Sequence, residues 1–168
     1  KLETLTRTDG GTLHIGVSTT LCKYLLLPYL SAFIREHPQI NIRIRCQSSK
    51  ETLKMLADDA IDIGLVGMPE HKTGFIYENL VEIEDIFVAT STYMSHLPQD
   101  MTSTREILEA STLMLLDKNN MTRQYIDDYL AKNQIQTKDY IEISNMDLLI
   151  EFAKIGVGVA CVIKNFVQ

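Results

Sequence analysis

Gly11-Thr-Leu-His-Ile-Gly-Val-Ser18, Leu21 to His37, Asn41-Ile-Arg-Ile-Arg-Cys46 and Ile61-Asp-Ile-Gly-Leu-Val66 decide how this chain folds. The first run is short, apolar and strand-like, and the hydroxyl loop Ser18-Thr19-Thr20 follows it. Leu21 to His37 reads as a helix stopped by Pro38. Asn41 to Cys46 alternates, with Ile40, Ile42 and Ile44 on one face and Asn41, Arg43 and Arg45 on the other. Ser48-Ser49, a short helix from about Lys50 to Asp58 and a third strand over Ile61–Val66 complete the run. Strands alternating with helices imply parallel units joined by right-handed crossovers. Ligands of such open sheets sit beyond the carboxyl ends of the strands, where strand order reverses. Here those ends carry Ser18, Thr19, Thr20, Ser48, Ser49 and Gly67.

Composition narrows the classes. At 168 residues the chain is long enough for a real core, as one domain or two small lobes. The net charge of −6 argues against a surface that grips nucleic acid, which needs a basic face. The apolar runs are too short to span a bilayer, and the first residues carry no secretion-signal pattern. Cys22, Cys46 and Cys161 are three and far apart, which fits reduced thiols in a cytoplasmic protein better than a disulfide frame. Of the two readings of each thiol, buried structural or redox-sensing, the first is favoured. His14, His37, His71 and His96 are isolated, and no Cys or His pair has metal-ligand spacing. No cofactor is expected.

Thr12-Leu-His-Ile-Gly-Val17, then Leu27-Pro28-Tyr29-Leu30 with Phe33 and His37-Pro38, then Asp58-Asp59-Ala60-Ile61-Asp62-Ile63-Gly64, resembles the effector-binding domain of LysR-type transcriptional regulators. The order and spacing of these pieces carry the likeness. It implies an α/β chain with a two-lobed, periplasmic-binding-protein-like fold, each lobe a mainly parallel sheet flanked by helices. On that pattern residues 1–10 are the end of a linker from an absent DNA-binding domain. Residues 11–88 form the first lobe and 89–160 the second. Residues 161–168 begin a return to the first lobe, whose remainder is missing.

The remaining chain reads coarsely. Phe75 to Glu84 and Asp85 to Thr90 are strand-like. Thr104–Ala110 is a short helix, Thr112–Leu116 a strand and Asp117–Thr122 a polar loop. Thr122–Asn133 is an amphipathic helix with Tyr125, Ile126 and Tyr129 towards one side. Lys138–Ile143 is a strand, and Ser144 and Asn145 cap a helix over Met146–Lys154. Ile155 to Ala160 matches the family's glycine turn and short strand. Val162-Ile163 stands where the family commonly has Leu-Pro.

Catalytic motifs are missing. There is no Gly-x-Ser-x-Gly elbow and no phosphate-loop lysine motif, and Gly156-Val-Gly158 follows a helix instead of opening one. Asp62 inside an apolar strand reads as a carboxylate pairing near a strand end. The chain is therefore expected not to be an enzyme. Binding is the stronger case. Ser18, Thr19, Thr20 and Ser49 suit helix N-caps, and the same physics makes helix starts hold carboxylates, phosphates or sulfates. The resemblance implies that a small effector, often an organic anion, binds between the lobes. Its contacts would be Ser18, Thr19, Thr20, Ser48 and Ser49 on the first lobe, and Asn120, Thr122, Ser144 and Asn145 on the second. Lys50, Lys118 and Arg123 could add positive charge, each being more commonly a solvated side chain.

In the first helix Leu26, Leu30 and Phe33 make a stripe suited to the sheet, while Tyr24, Leu27 and Ile34 lie on another side. Leftover apolar surface marks a partner. The resemblance implies a homodimer through this helix, to which Tyr125 and Tyr129 are assigned, and tetramers at full length. Pro28 should bend the helix or sit near its start. Lobe closure on the effector would be transmitted to DNA-binding domains elsewhere in the regulator. The rival expectation is the solute-binding protein of a transport system.

Overall fold

In a computed structural model of the chain, residues 10–69, 71–72 and 74–167 are described. They divide after Ile76 into two units, each with its own sheet. The expected linker over 1–10 lies outside the described residues except for Gly10.

The first unit is built on β1 (Thr12–Val17), flanked in parallel by β2 (Asn41–Cys46) and β3 (Ile63–Leu65). The register runs from Thr12 opposite Asn41 to Val17 opposite Cys46, and sets Ile15, Gly16 and Val17 against Ile63, Gly64 and Leu65. A continuous helical stretch joins β1 to β2: α1 (Thr19–Leu21), a π turn (Cys22–Leu26) and α2 (Leu27–Glu36). The wide turn precedes Pro28, the second residue of α2. Proline donates no hydrogen bond and its ring crowds the carbonyl four residues back; the Leu27 N–H meanwhile reaches the Cys22 carbonyl five residues back. Pro28 therefore sits near a helix start, one of the two placements expected of it.

α3 (Ser49–Ala57) returns the chain to β3 and lies flush on the sheet. The register sets Gly16 directly beside Gly64. A Cβ on Gly16 would stand 2.5 Å from Ile61 Cδ1 and 3.0 Å from Thr52 Cγ2; one on Gly64 would stand 2.8 Å from both Thr52 Cγ2 and Leu56 Cδ1. Thr52 is fully buried at this approach, and its hydroxyl takes a 2.6 Å hydrogen bond from the Gln47 amide. Asp62 has the strand-end role expected of it. Its carboxylate accepts the His14 N–H at 2.8 Å while its own N–H donates to the His14 carbonyl at 2.9 Å.

The second unit contains β4 (Asp85–Val88), α4 (Ser91–Ser95), α5 (Thr104–Ala110), β5 (Leu113–Leu115), α6 (Met121–Lys132), β6 (Tyr140–Glu142), α7 (Met146–Lys154) and β7 (Val159–Ile163). Its strand order is β4-β7-β5-β6, with β5 parallel to β6 and β7, and β4 antiparallel to β7. Both faces of the central strands β5 and β7 are covered, so these strands are apolar on both sides, whereas edge strand β6 is exposed. Met114, Ala160 and Val162 meet Met146, Leu149, Ile150 and Ala153 of α7 on one face. Leu113, Leu115, Val159 and Cys161 meet Leu108 of α5 and Ile126 and Leu130 of α6 on the other. α5 begins with a reciprocal cap, the Ser103 hydroxyl taking the Glu106 N–H and the Glu106 carboxylate taking the Ser103 N–H.

Three features differ from the sequence reading. Phe75–Glu84 forms no strand, and Ile76 is 95% exposed. The Lys164 N–H meets the Glu84 carbonyl at 2.8 Å, just before β4 begins at Asp85. β4, read as the end of a first lobe reaching residue 88, pairs within the second unit's sheet. Cys161–Ile163, read as the start of a return to the first lobe, completes β7 in the same sheet because Cys161 and Val162 are buried on its two faces. Gln168 lies outside the described residues.

Candidate functional site

The carboxyl edge of the first unit's sheet gathers two helix starts. Ser18 has extended backbone (φ −71°, ψ 153°), and its hydroxyl accepts the Leu21 N–H at 3.2 Å. Ser48 caps α3 in the same way, accepting the Glu51 N–H at 3.2 Å. Each cap occupies the third N–H of its helix, so the N–H groups of Thr19, Thr20, Ser49 and Lys50 leave the first turns without an intrahelical acceptor. Among the described residues, the Thr19 and Thr20 hydroxyls have no hydrogen-bond partner, and Thr19 is exposed. The two starts follow adjacent strands, since Val17 and Cys46 are register partners.

Ser49 departs from the expectation. The cap of α3 is Ser48, one residue earlier, and Ser49 is only 6% exposed. Its hydroxyl accepts the Gly67 N–H at 3.2 Å and so ties α3 to the loop after β3. Lys50 is exposed. Glu70 and Thr73, further along the chain after Gly67, lie outside the described residues.

In the second unit the helix starts again follow parallel strands. After β5, Asn120 caps α6 by accepting the Thr122 N–H at 2.9 Å. After β6, Asn145 caps α7 by accepting the Leu148 N–H at 3.1 Å, with Ser144 exposed beside it. Thr122 is buried, and its hydroxyl donates to the Asp85 carboxylate at 3.3 Å. Burial pushes the Asp85 pKa above its ordinary value, and the Thr122 hydrogen bond only partly offsets this.

Arg123 is the clearest correction. Read as a solvated cation or a supplier of charge to a ligand, it is 4% exposed and fully engaged. Its guanidinium holds Asp127 at 2.9 Å, the Leu116 carbonyl at 2.8 Å and Glu142 at 3.3 Å, and lies 4.9 Å from the centre of the Tyr140 ring. A buried cation needs such partners, and here it fastens α6 to β5 and β6. Lys118 is exposed.

The residues assigned to self-association scatter. Leu27 and Ile34 are exposed on α2, whereas Tyr24 is half-buried with the Lys23 ammonium 5.1 Å from its ring centre. Leu26, Leu30 and Phe33, expected on the sheet, are also only half-buried. Tyr125 is exposed on α6; Tyr129 packs at 5.9 Å against the Phe87 ring of its own unit.

Sequence reasoning passed over the exposed face of β1 and β2. An open cavity of about 530 Å³ there is lined by Thr12, His14, Arg43, Ile44 and Arg45, away from the helix starts. The alternation of arginines in β2 was its signal. Among the described residues no group of three or more His, Cys, Asp or Glu could hold a metal ion, and no helix is long and apolar enough to cross a membrane.

Known proteins similar to this chain share one theme. YeiE of Escherichia coli K12, named as an uncharacterised helix-turn-helix-type transcriptional regulator, is 25% identical over 169 residues, covering 100% of this chain and 56% of YeiE. The chain spans about half the length of the curated relatives it matches. The regulatory domain of Synechocystis PCC6803 CcmR, solved with 2-PG, superposes with a TM-score of 0.79 at 15% identity, over 93% of this chain and 74% of that one. The effector-binding domain of QuiR, solved with shikimate, gives 0.76 at 15% identity, over 93% and 75%. At such identity these two likenesses speak for the fold, which is the α/β, periplasmic-binding-protein-like fold of effector-binding domains. The family model described as the LysR substrate binding domain matches residues 6–168, and the chain belongs to that family.

Proposed function

We propose that the chain is the effector-sensing part of a LysR-type transcriptional regulator, and that its first unit holds a small organic anion at the paired starts of α1 and α3. One observation carries this reading: Thr19 and Thr20 offer unpartnered hydroxyls beside a capped helix start, one strand from the start of α3. Outward N–H groups and the positive end of each helix favour negative charge there. The ligands solved with CcmR and QuiR, 2-PG and shikimate, guide the choice of probes. In the second unit Asn120, Ser144 and Asn145 supply the comparable edge, while Thr122 acts by holding Asp85.

The rest of the reading follows the family. A ligand shifts the regulator only by its differential affinity for two arrangements. DNA is contacted by a separate helix-turn-helix domain of the same regulator, in the cytoplasm. Two copies associate through the exposed apolar side chains of α2, Leu27 and Ile34, with Tyr24 on the same helical stretch, and exposed Tyr125 of α6 belongs to the same interface. No residue is assigned a catalytic step.

Thermal unfolding with 2-PG, shikimate and inorganic phosphate tests the site. A ligand bound only by the folded state at a hundred times its Kd adds about 2.7 kcal/mol. The expected result is a concentration-dependent rise in midpoint that is lost in Thr19→Val. A rise unchanged by Thr19→Val places the anion elsewhere, with the arginine-lined cavity on β1 and β2 the next site to test.

A further inference from the structure

We propose that the open face of β1 and β2 is a further anion site, suited to a ligand with two adjacent phosphoryl groups, a diphosphate. Side chains alternate along a strand, and register partners in neighbouring strands project to the same face of the sheet. Thr12, His14 and Gly16 therefore share a face with Asn41, Arg43 and Arg45. α3 lies on this face at the Gly16 end, where Thr52 stands against that glycine. Beyond that end the face is open, and Thr12, His14, Arg43, Ile44 and Arg45 line the cavity of about 530 Å³. Arg43 and Arg45 are exposed and His14 is half-buried. Among the described residues neither guanidinium has a hydrogen-bond or ion-pair partner. In a chain of net charge −6, two cations thus stand side by side on one face with no carboxylate paired to them.

The backbone adds a donor between them. The Asn41 N–H meets the Gly11 carbonyl at 2.9 Å and the Gln47 N–H meets the Val17 carbonyl at 3.1 Å, which fixes the phase of the ladder: every second residue of β2 faces β1. Ile44 is out of phase with these, so its N–H and carbonyl turn away from β1, at the outer edge of the order β2-β1-β3. The Asp62 carboxylate, which accepts the His14 N–H at 2.8 Å, lies on the β3 side of β1, away from β2. Alternate residues of a strand are about 6.6 Å apart. Two guanidinium forks at that spacing can each take one of two neighbouring phosphoryl groups in the bidentate manner arginine favours. Exposed ion pairs are weak and screened by salt, so a singly charged anion gains little on so open a face. A diphosphate concentrates several negative charges on two adjacent groups and gains most. No lining residue belongs to the helix starts, so the site does not depend on the effector site proposed above.

Isothermal titration of this chain at low salt with inorganic pyrophosphate, ADP, phosphate and succinate tests the site. Pyrophosphate should bind about tenfold more tightly than phosphate or succinate. Its affinity should fall about tenfold in Arg43→Gln and about tenfold in Arg45→Gln, the loss of a hydrogen bond to a charged group. Both arginines are exposed, so the urea midpoint should not move. Lys132→Gln, which removes an exposed cation of the second unit, should leave the affinity unchanged. ADP binding more tightly than pyrophosphate would name a nucleotide as the source of the diphosphate, and ADP binding more weakly would name the free anion. No binding of pyrophosphate, equal binding of succinate, or an equal loss in Lys132→Gln would overturn the proposal. So would binding lost in Thr19→Val but kept in both arginine variants, which would place the diphosphate at the helix starts.

Discussion

The two units solve one problem with different reserves. Both feed parallel strands into helices whose starts are capped by Ser or Asn. The second unit covers its sheet on both faces with two apolar clusters and locks its helix starts inward through Arg123 and the Thr122–Asp85 bond. Among the described residues, the first buries only Ile15, Val17, Leu21 and Ile61 of its apolar side chains and leaves β2 half-open. Its Thr19 and Thr20 hydroxyls remain uncommitted. The second unit is thus a body held by its own core. The first has more surface left for partners and ligands.

The largest expected effect lies in the better-packed unit. Leu149 is fully buried, and Leu149→Ala should cost about 3 kcal/mol by the cavity it leaves, seen as a lower urea midpoint. Leu27→Ala in the first unit, at a site 55% exposed, should stay within about 0.5 kcal/mol. Equal losses would erase the contrast.

Gly16→Ala should cost about 2 kcal/mol despite the first unit's thin core, because its Cβ meets Ile61, Gln47 and Thr52 where α3 lies on the sheet. A neutral result would mean that α3 is free to lift from β1.

A smaller effect follows from Asp85. Burial raises its folded pKa above 3.8, so folding is helped by the bound proton below that value and loses this help as pH rises through the raised pKa. Asp85→Asn should therefore raise the unfolding midpoint near neutral pH and leave it unchanged near pH 3. Thr122→Val, which removes the 3.3 Å hydrogen bond, should lower stability at neutral pH by about 1 kcal/mol. A midpoint insensitive to pH in this comparison would contradict the buried placement of Asp85. The smallest effect on stability is expected for Leu27→Glu, whose readout is association: sedimentation should show weaker self-association at an unchanged urea midpoint.

Local patterns carried much of the fold. The alternation of Asn41–Cys46 and the cap before Met146–Lys154 each depend on neighbours in sequence, and these elements, like the short helix Thr104–Ala110, form with those bounds. What failed depended on distant partners. Arg123 looked like a surface cation because nothing local announces the Leu116 carbonyl or Glu142. Phe75–Glu84 has strand composition but forms no strand, because a strand needs a backbone ladder that composition alone does not announce. The helix-start hydroxyls were legible as a group, but not which of them would cap and which stay free: Ser48 took the cap expected of Ser49, and Ser49 turned to Gly67.

The most direct measurement is an amide NMR titration of this chain with shikimate and 2-PG. The account predicts the largest shifts at the N–H groups of Thr19, Thr20, Ser49 and Lys50, with Thr19→Val weakening the affinity. Saturable shifts confined to His14, Arg43 and Arg45, with the helix starts unmoved, would contradict it.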